Sequence, residues 1–183
     1  MDSAPETAYA DPKAWKVDAD ASEATLSLMD RRGPRPLLRL TDFHGSFYLR
    51  PNGDLAGFAL HLELPPEARS SWPGGQAAPS LFWESVNLRP SRERGLIGRG
   101  RLCLGRRETW STVSGMCTRV PCRDSELPYL KIVLDTMFAS LALRWPAEAA
   151  RHFRPVTLQL FTEIRPRGGS APRRSDAPQG PSA

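Results

Sequence analysis

The chain has 183 residues, 40% of them hydrophobic and 25% charged, with a mean hydropathy of −0.42. That composition fits one folded domain with a sizeable core and excludes a helical membrane protein, because no apolar run approaches the roughly 18 residues of a span. The net charge is +5, but residues 166–183 carry +2 of it, so the remainder is nearly balanced and no specific nucleic-acid partner is expected.

Residues 1–13 show no apolar periodicity and read as a flexible lead-in. They hold neither the positive n-region nor the apolar h-region of a secretory signal, which predicts a cytoplasmic protein. From Trp15 onward the dominant period is two. Leu26 and Leu28 alternate with Thr25 and Ser27, and Phe58, Leu60, Leu62 and Leu64 alternate with Ala59, His61 and Glu63. Leu130, Ile132 and Leu134 do the same, as do Val156, Leu158, Leu160, Thr162 and Ile164. A strand presents successive side chains to opposite faces, so these segments are half-buried strands. The spacing predicts strands near 15–18, 23–30, 36–49, 54–64, 80–89, 96–105, 108–117, 128–136, 138–145 and 155–165. Turn chemistry separates them at Asp30–Pro34, Pro51–Asp54, Arg89–Arg94 and Arg119–Asp124. Residues 145–153 alone have helical composition, enough for one or two turns after Pro146. Many strands with little helix suggest a closed barrel or a sandwich. Residues 166–183, rich in Pro, Gly, Ser and Arg, cannot bury enough surface to offset their ordering entropy and read as a disordered tail.

Chemistry-bearing residues are sparse. Cys117 and Cys122 do not have the C-x-x-C spacing of a redox or zinc site, and with Cys103 they read as small reduced residues. A strained Cys117–Cys122 disulfide would require an oxidising compartment. His61 falls on the polar face of its strand, whereas His44, beside Gly45, is the histidine that could meet a Cys or Ser across a barrel. No G-x-S-x-G marks a nucleophile. Gly98-Arg99-Gly100 opens a strand, not a helix, so it marks a bulge or a close backbone approach and no phosphate loop. These readings predict no enzymatic activity, no cofactor and no metal. Aromatic residues fall in different strands, where they serve either as ordinary core or as the wall of an apolar cavity.

The order of short signatures resembles the YceI-like family of lipid-binding proteins. Trp15-Lys16-Val17-Asp18 with Ser22 is similar to that family's opening W-x-x-D-x-x-x-S. Phe43-His44-Gly45-Ser46-Phe47 through Pro51-Asn52-Gly53-Asp54 resembles its F-x-G hairpin, and Pro79 to Ser85 its P-x-I-x-F-x-S strand. Gly100 to Leu104, Phe138 to Leu141 and Val156 to Leu160 resemble its later signatures. Two segments depart from it. Residues 65–79 stand in place of an R-D-x-H-L segment, and Gly105 to Trp110 in place of a G-V-T-x-P-V turn. The resemblance covers about residues 14–165 and implies an all-β, lipocalin-like antiparallel β-barrel with one short helix and disordered ends.

It further implies a non-enzymatic carrier of a long-chain lipid, isoprenoid or fatty-acyl. Alternate inward residues would then line an apolar tunnel: Leu28, Phe47, Phe58, Leu60, Leu62, Leu81, Trp83, Leu102, Trp110, Phe138, Leu158 and Leu160. The same residues serve equally well as plain core. The alternative from another class is a packed barrel acting as a protein-interaction or regulatory module, with residues 65–79 and the tail as its contact surfaces. A nucleic-acid-binding barrel ranks third, hinted at by Trp110 near Arg106 and Arg107. The sequence leaves a homodimer open.

Overall fold

The computed structural model describes residues 15–65, 68, 80–92, 95–121 and 128–166. The lead-in, most of the 65–79 segment, Cys122 and most of the tail lie outside the described residues. The strands are β1 (Trp15–Asp30), β2 (Gly33–Leu40), β3 (Phe43–Leu49), β4 (Leu55–Leu62), β5 (Leu81–Ser85), β6 (Arg89–Ser91), β7 (Gly95–Leu104), β8 (Arg107–Val120), β9 (Tyr129–Ala139) and β10 (Pro155–Pro166). Between the last two lie two helical turns, α1 (Ser140–Leu143) and α2 (Ala147–Arg151). All pairings are antiparallel, in the order β2-β1-β10-β9-β8-β7-β5-β4-β3, with β6 beside β7.

Chain connectivity forces this sheet to curl. Its edge strands, β2 and β3, are consecutive in sequence, and only Thr41 and Asp42 join Leu40 to Phe43. Three peptide steps span at most about 11 Å, so the two edges must meet there. The ladder also fixes the stagger. From Leu40 it runs through Ala24, Leu160, Leu134 and Gly115 to Leu96, whereas from Phe43 it runs through Leu62 and Leu81 to Leu104. Closing the sheet therefore shifts the register by eight residues along β7. Such a shear is what tilted strands of a barrel require. The molecule is an all-β antiparallel barrel with a seam: among the described residues no ladder joins β2 to β3. Pro34 and Pro36 lie on the β2 edge, where a missing N–H costs no ladder bond.

Local corrections follow from specific bonds. The predicted strands 15–18 and 23–30 are one strand with a bulge, because Asp18 pairs with Glu163 while Glu23 pairs with Phe161. Ser22 closes the bulge by donating to the Asp18 carbonyl at 2.5 Å, and its Oγ lies 2.7 Å from Thr162 Oγ1. The predicted strand 36–49 is broken into β2 and β3 by Thr41-Asp42. The predicted strand 138–145 is wrong beyond Ala139. There Ser140 Oγ donates to the Arg154 carbonyl and Trp145 N–H returns to the Ser140 carbonyl, so the chain coils into α1. The single short helix expected at 145–153 is present as α2, and α1 precedes it.

The core is the inner face of this sheet. Leu26, Phe58, Leu60, Leu62, Leu81, Trp83, Leu102, Ile132, Leu134, Leu158 and Leu160 are wholly buried. Each such side chain contributes about 1.5–3 kcal/mol relative to exposure. Gly45 lets β3 approach β4, since a Cβ there would lie 2.1 Å from the Ala59 carbonyl oxygen.

Candidate functional site

Alternation along the strands decides which side chains share the interior. Leu28, Phe47, Phe58, Leu60, Leu62, Leu81, Trp83, Leu102, Phe138, Leu158 and Leu160 all lie in the core. Trp110 does not. It is 53% exposed, because Val113 and Gly115 set the inward phase of β8 and Trp110 has the opposite parity. Outside, it stacks with Arg99, whose guanidinium carbon is 5.3 Å from the ring centroid.

The interior is mainly apolar, and its buried polar groups differ in whether they are satisfied. The buried hydroxyls of Ser22, Ser85, Thr136, Ser140 and Thr162 each have a hydrogen-bond partner. The indole Nε1–H of Trp83 is fully buried and has no acceptor among the described residues. Gly100 makes room for it: a Cβ there would stand 3.4 Å from that nitrogen and 2.4 Å from Val113 Cγ2. Trp83 also sets its edge against Phe58, centroids 4.9 Å apart and planes at 75°. A donor isolated in this way costs about 1–3 kcal/mol unless something accepts from it. At Leu60, Trp83, Leu102 and Leu158 the interior is otherwise filled by the side chains' own packing.

A second feature was not legible in the sequence. At the end of the barrel holding the 50–54 turn, a groove of about 540 Å³ is lined by Gly53, Asp54, Leu55, Pro90, Gly95, Leu96 and the stretch from Met116 to Arg119. Leu55 and Leu96 are core residues, so the groove floor is continuous with the interior. Its volume falls within the roughly 300–1,000 Å³ of small-molecule sites. None of the twelve residues nominated from sequence lines it. It is assembled from turns and strand ends that lie far apart in the chain, and no local pattern marks it. One wall is held by the turn itself: Gly53 N–H donates to the Arg50 carbonyl at 2.8 Å, and Asn52 Nδ2 donates to Asp54 Oδ2 at 2.9 Å. Arg119 donates to the Asn52 carbonyl and lies 3.8 Å from the Asp54 carboxylate.

The reactive side chains are placed as follows. Burial pushes the Cys117 thiol, in the groove, up to about 11, opposed by nearby Arg119. Burial also raises Cys103, against the pull of Arg101. His44 stacks on His61 across β3 and β4, centroids 5.1 Å apart and planes at 5°, and His61 in turn meets Phe82 at 4.8 Å. Among the described residues no hydrogen bond joins either imidazole to a Cys or Ser, so the cross-barrel pair considered for His44 is not formed there. Gly98 and Gly100 lie within β7 and mark close approaches, to the Asn87 carbonyl oxygen and to Val113.

No family model matches the chain, and no curated protein matches it. Among solved structures, the crystal structure of BcnA from Burkholderia cenocepacia is similar in fold. Its TM-score is 0.59 at 12% sequence identity, and the match covers 82% of this chain and 99% of that one.

Proposed function

We propose that the protein binds and carries a long-chain lipid, isoprenoid or fatty-acyl, within the apolar barrel and without covalent chemistry, as a diverged relative of the YceI-like proteins. The observation that carries this reading is the orphaned Trp83 Nε1–H inside an otherwise apolar interior. A finished core has no use for an unsatisfied donor, whereas a guest with one carbonyl or hydroxyl oxygen and a long hydrocarbon chain would satisfy it. Burial of the chain contributes about 0.8 kcal/mol per methylene, before the costs of binding. The seam between β2 and β3 supports the same reading, because side chains can part there without breaking a ladder. The groove, whose floor is Leu55 and Leu96, gives the end of the chain a mouth.

A second reading has its own observation. The complete burial of Leu60, Leu102 and Leu158 suits a packed barrel that serves as an interaction module. Titration with a fluorescent fatty-acyl probe separates the two. The carrier reading predicts saturable binding with one site per chain. It also predicts that Trp83→Phe, which keeps the ring and removes the donor, weakens a carbonyl-bearing probe about tenfold and a pure hydrocarbon not at all. An absence of saturable binding favours the packed module. Equal loss for both probes removes Trp83 from the role assigned to it.

A further inference from the structure

The nearly balanced net charge of the barrel hides a division between its two ends. At the groove end, three cations are paired with carboxylates: Arg165 with Asp18 at 2.9 Å and Glu163 at 3.3 Å, Lys131 with Glu163 at 3.2 Å, and Arg119 with Asp54. The opposite end is different. Leu28 pairs with Val156, Ala139 with Pro155, and Leu104 with Arg107. The β1–β2 turn, the β9–β10 link and the β7–β8 turn therefore open side by side on one rim. They bring together Arg31, Arg32, Arg106, Arg107, Arg144, Arg151 and Arg154. Six of these are exposed and Arg107 is half-buried. Among the residues whose side chains are described, none of the acids forms an ion pair with them. In sequence the three segments oppose them with Asp30 and Glu148, Glu108 follows Arg107 and lies 3.4 Å from Arg101, and Asp42 and Glu63 lie across the same end, on the β3–β4 side.

Two apolar side chains stand among these arginines. Leu141 is 49% exposed and Phe153 is 75% exposed. Phe153 is held there by the backbone. His152 caps α2, Phe153 N–H donates to the Ala150 carbonyl, and Arg154 N–H donates to the Ala149 carbonyl at 3.0 Å. That is the hydrogen-bond pattern of a helix stop whose left-handed position normally takes glycine. Here the position is filled by Phe153, at φ 54°. Arg144 fills the corresponding position after α1, at φ 52°. A bulky residue in the left-handed region is strained, and both of these side chains are exposed.

From this juxtaposition we infer that the rim is a docking surface for an anionic phospholipid bilayer: the clustered arginines meet the headgroups while Phe153 and Leu141 enter the interfacial layer. Basic side chains around a small apolar wedge are the chemistry that such an interface recognises. An acidic protein or a nucleic acid would match the charge and leave the two protruding apolar groups without a role. The carrier reading supplies the purpose, since a lipid cargo is collected and delivered at membranes, but docking is measured without cargo.

The test is sedimentation of the full chain with vesicles of phosphatidylcholine alone, or with roughly one third phosphatidylglycerol. The expected result is binding to the anionic vesicles only, weakened by salt. The triple variant Arg144→Asn, Arg151→Ser, Arg154→Ser should bind about a hundredfold more weakly, at about fivefold per arginine. Phe153→Gly should also bind more weakly while unfolding at the same or a higher temperature, because it relieves the left-handed strain. Equal binding to neutral vesicles overturns the inference, and so does binding to heparin or DNA without binding to vesicles. Unchanged binding by the triple variant also overturns it, since attachment then lies elsewhere on the chain. A protein that takes up the acyl probe and ignores vesicles loses this inference alone. One that binds vesicles and takes up no probe loses the carrier reading alone.

Discussion

The most informative single residues are those whose chemistry disagrees with their surroundings. Trp83 is one, and Cys117 is another. Burial pushes the Cys117 thiol from 9.0 to about 11, so the thiol is neutral throughout the physiological range. Its thiolate fraction at pH 8 should be about a hundredfold below that of a free cysteine. Alkylation followed by peptide mass mapping checks this, and labelling of Cys117 at the rate of a free thiol would contradict it. The shift also acts on stability. The neutral form is favoured in the folded state, so the contribution is fully present below pH 9, where the unfolded thiol begins to ionise, and is lost as pH rises towards 11. The loss is roughly 3 kcal/mol at most, and Cys117→Ala should remove that part of the alkaline decline in a denaturant titration.

At the scale of elements, the strands were legible because a pleat imposes a period of two on any half-buried sequence. Phase is what propagated: inward Leu158 and Leu160 predicted inward Val156 and Thr162. Trp110 falls outside the expected wall because its parity is opposite to that of inward Val113. The expected strand 138–145 keeps only Phe138 and Ala139, which belong to β9, because the bond from Ser140 that ends the strand reaches Arg154, fourteen residues further on. The bulge in β1 shows the opposite case, since the gap between 15–18 and 23–30 in the pattern is real. Ser22 has one proton, which goes to the Asp18 carbonyl, so Thr162 donates to Ser22 in turn. Ser22→Ala should therefore cost about 1–3 kcal/mol in chemical unfolding, because it leaves the wholly buried Thr162 hydroxyl unpaired. Adding Thr162→Val should recover much of that loss. Equal stability of wild type and Ser22→Ala would show that the bulge does not depend on this bond.

At the scale of the molecule, what escaped the sequence is what depends on three-dimensional closure. The groove draws on residues from Gly53 to Arg119, and the arginine rim on residues from Arg31 to Arg154. A net charge of only +5 concealed the rim, because the pairing of acids with bases at the other end cannot be read without the ladder. Among the described residues the molecule has a mainly apolar interior holding the unsatisfied Trp83 donor, a seam that no ladder crosses, and two chemically distinct ends. Mass spectrometry of an organic extract from the purified native protein, beside a heat-denatured control, shows whether the interior receives a lipid. The expected result is a stoichiometric isoprenoid or fatty-acyl species bearing an oxygen acceptor. A clean extract from protein made in its own host would contradict it and leave a packed interaction module.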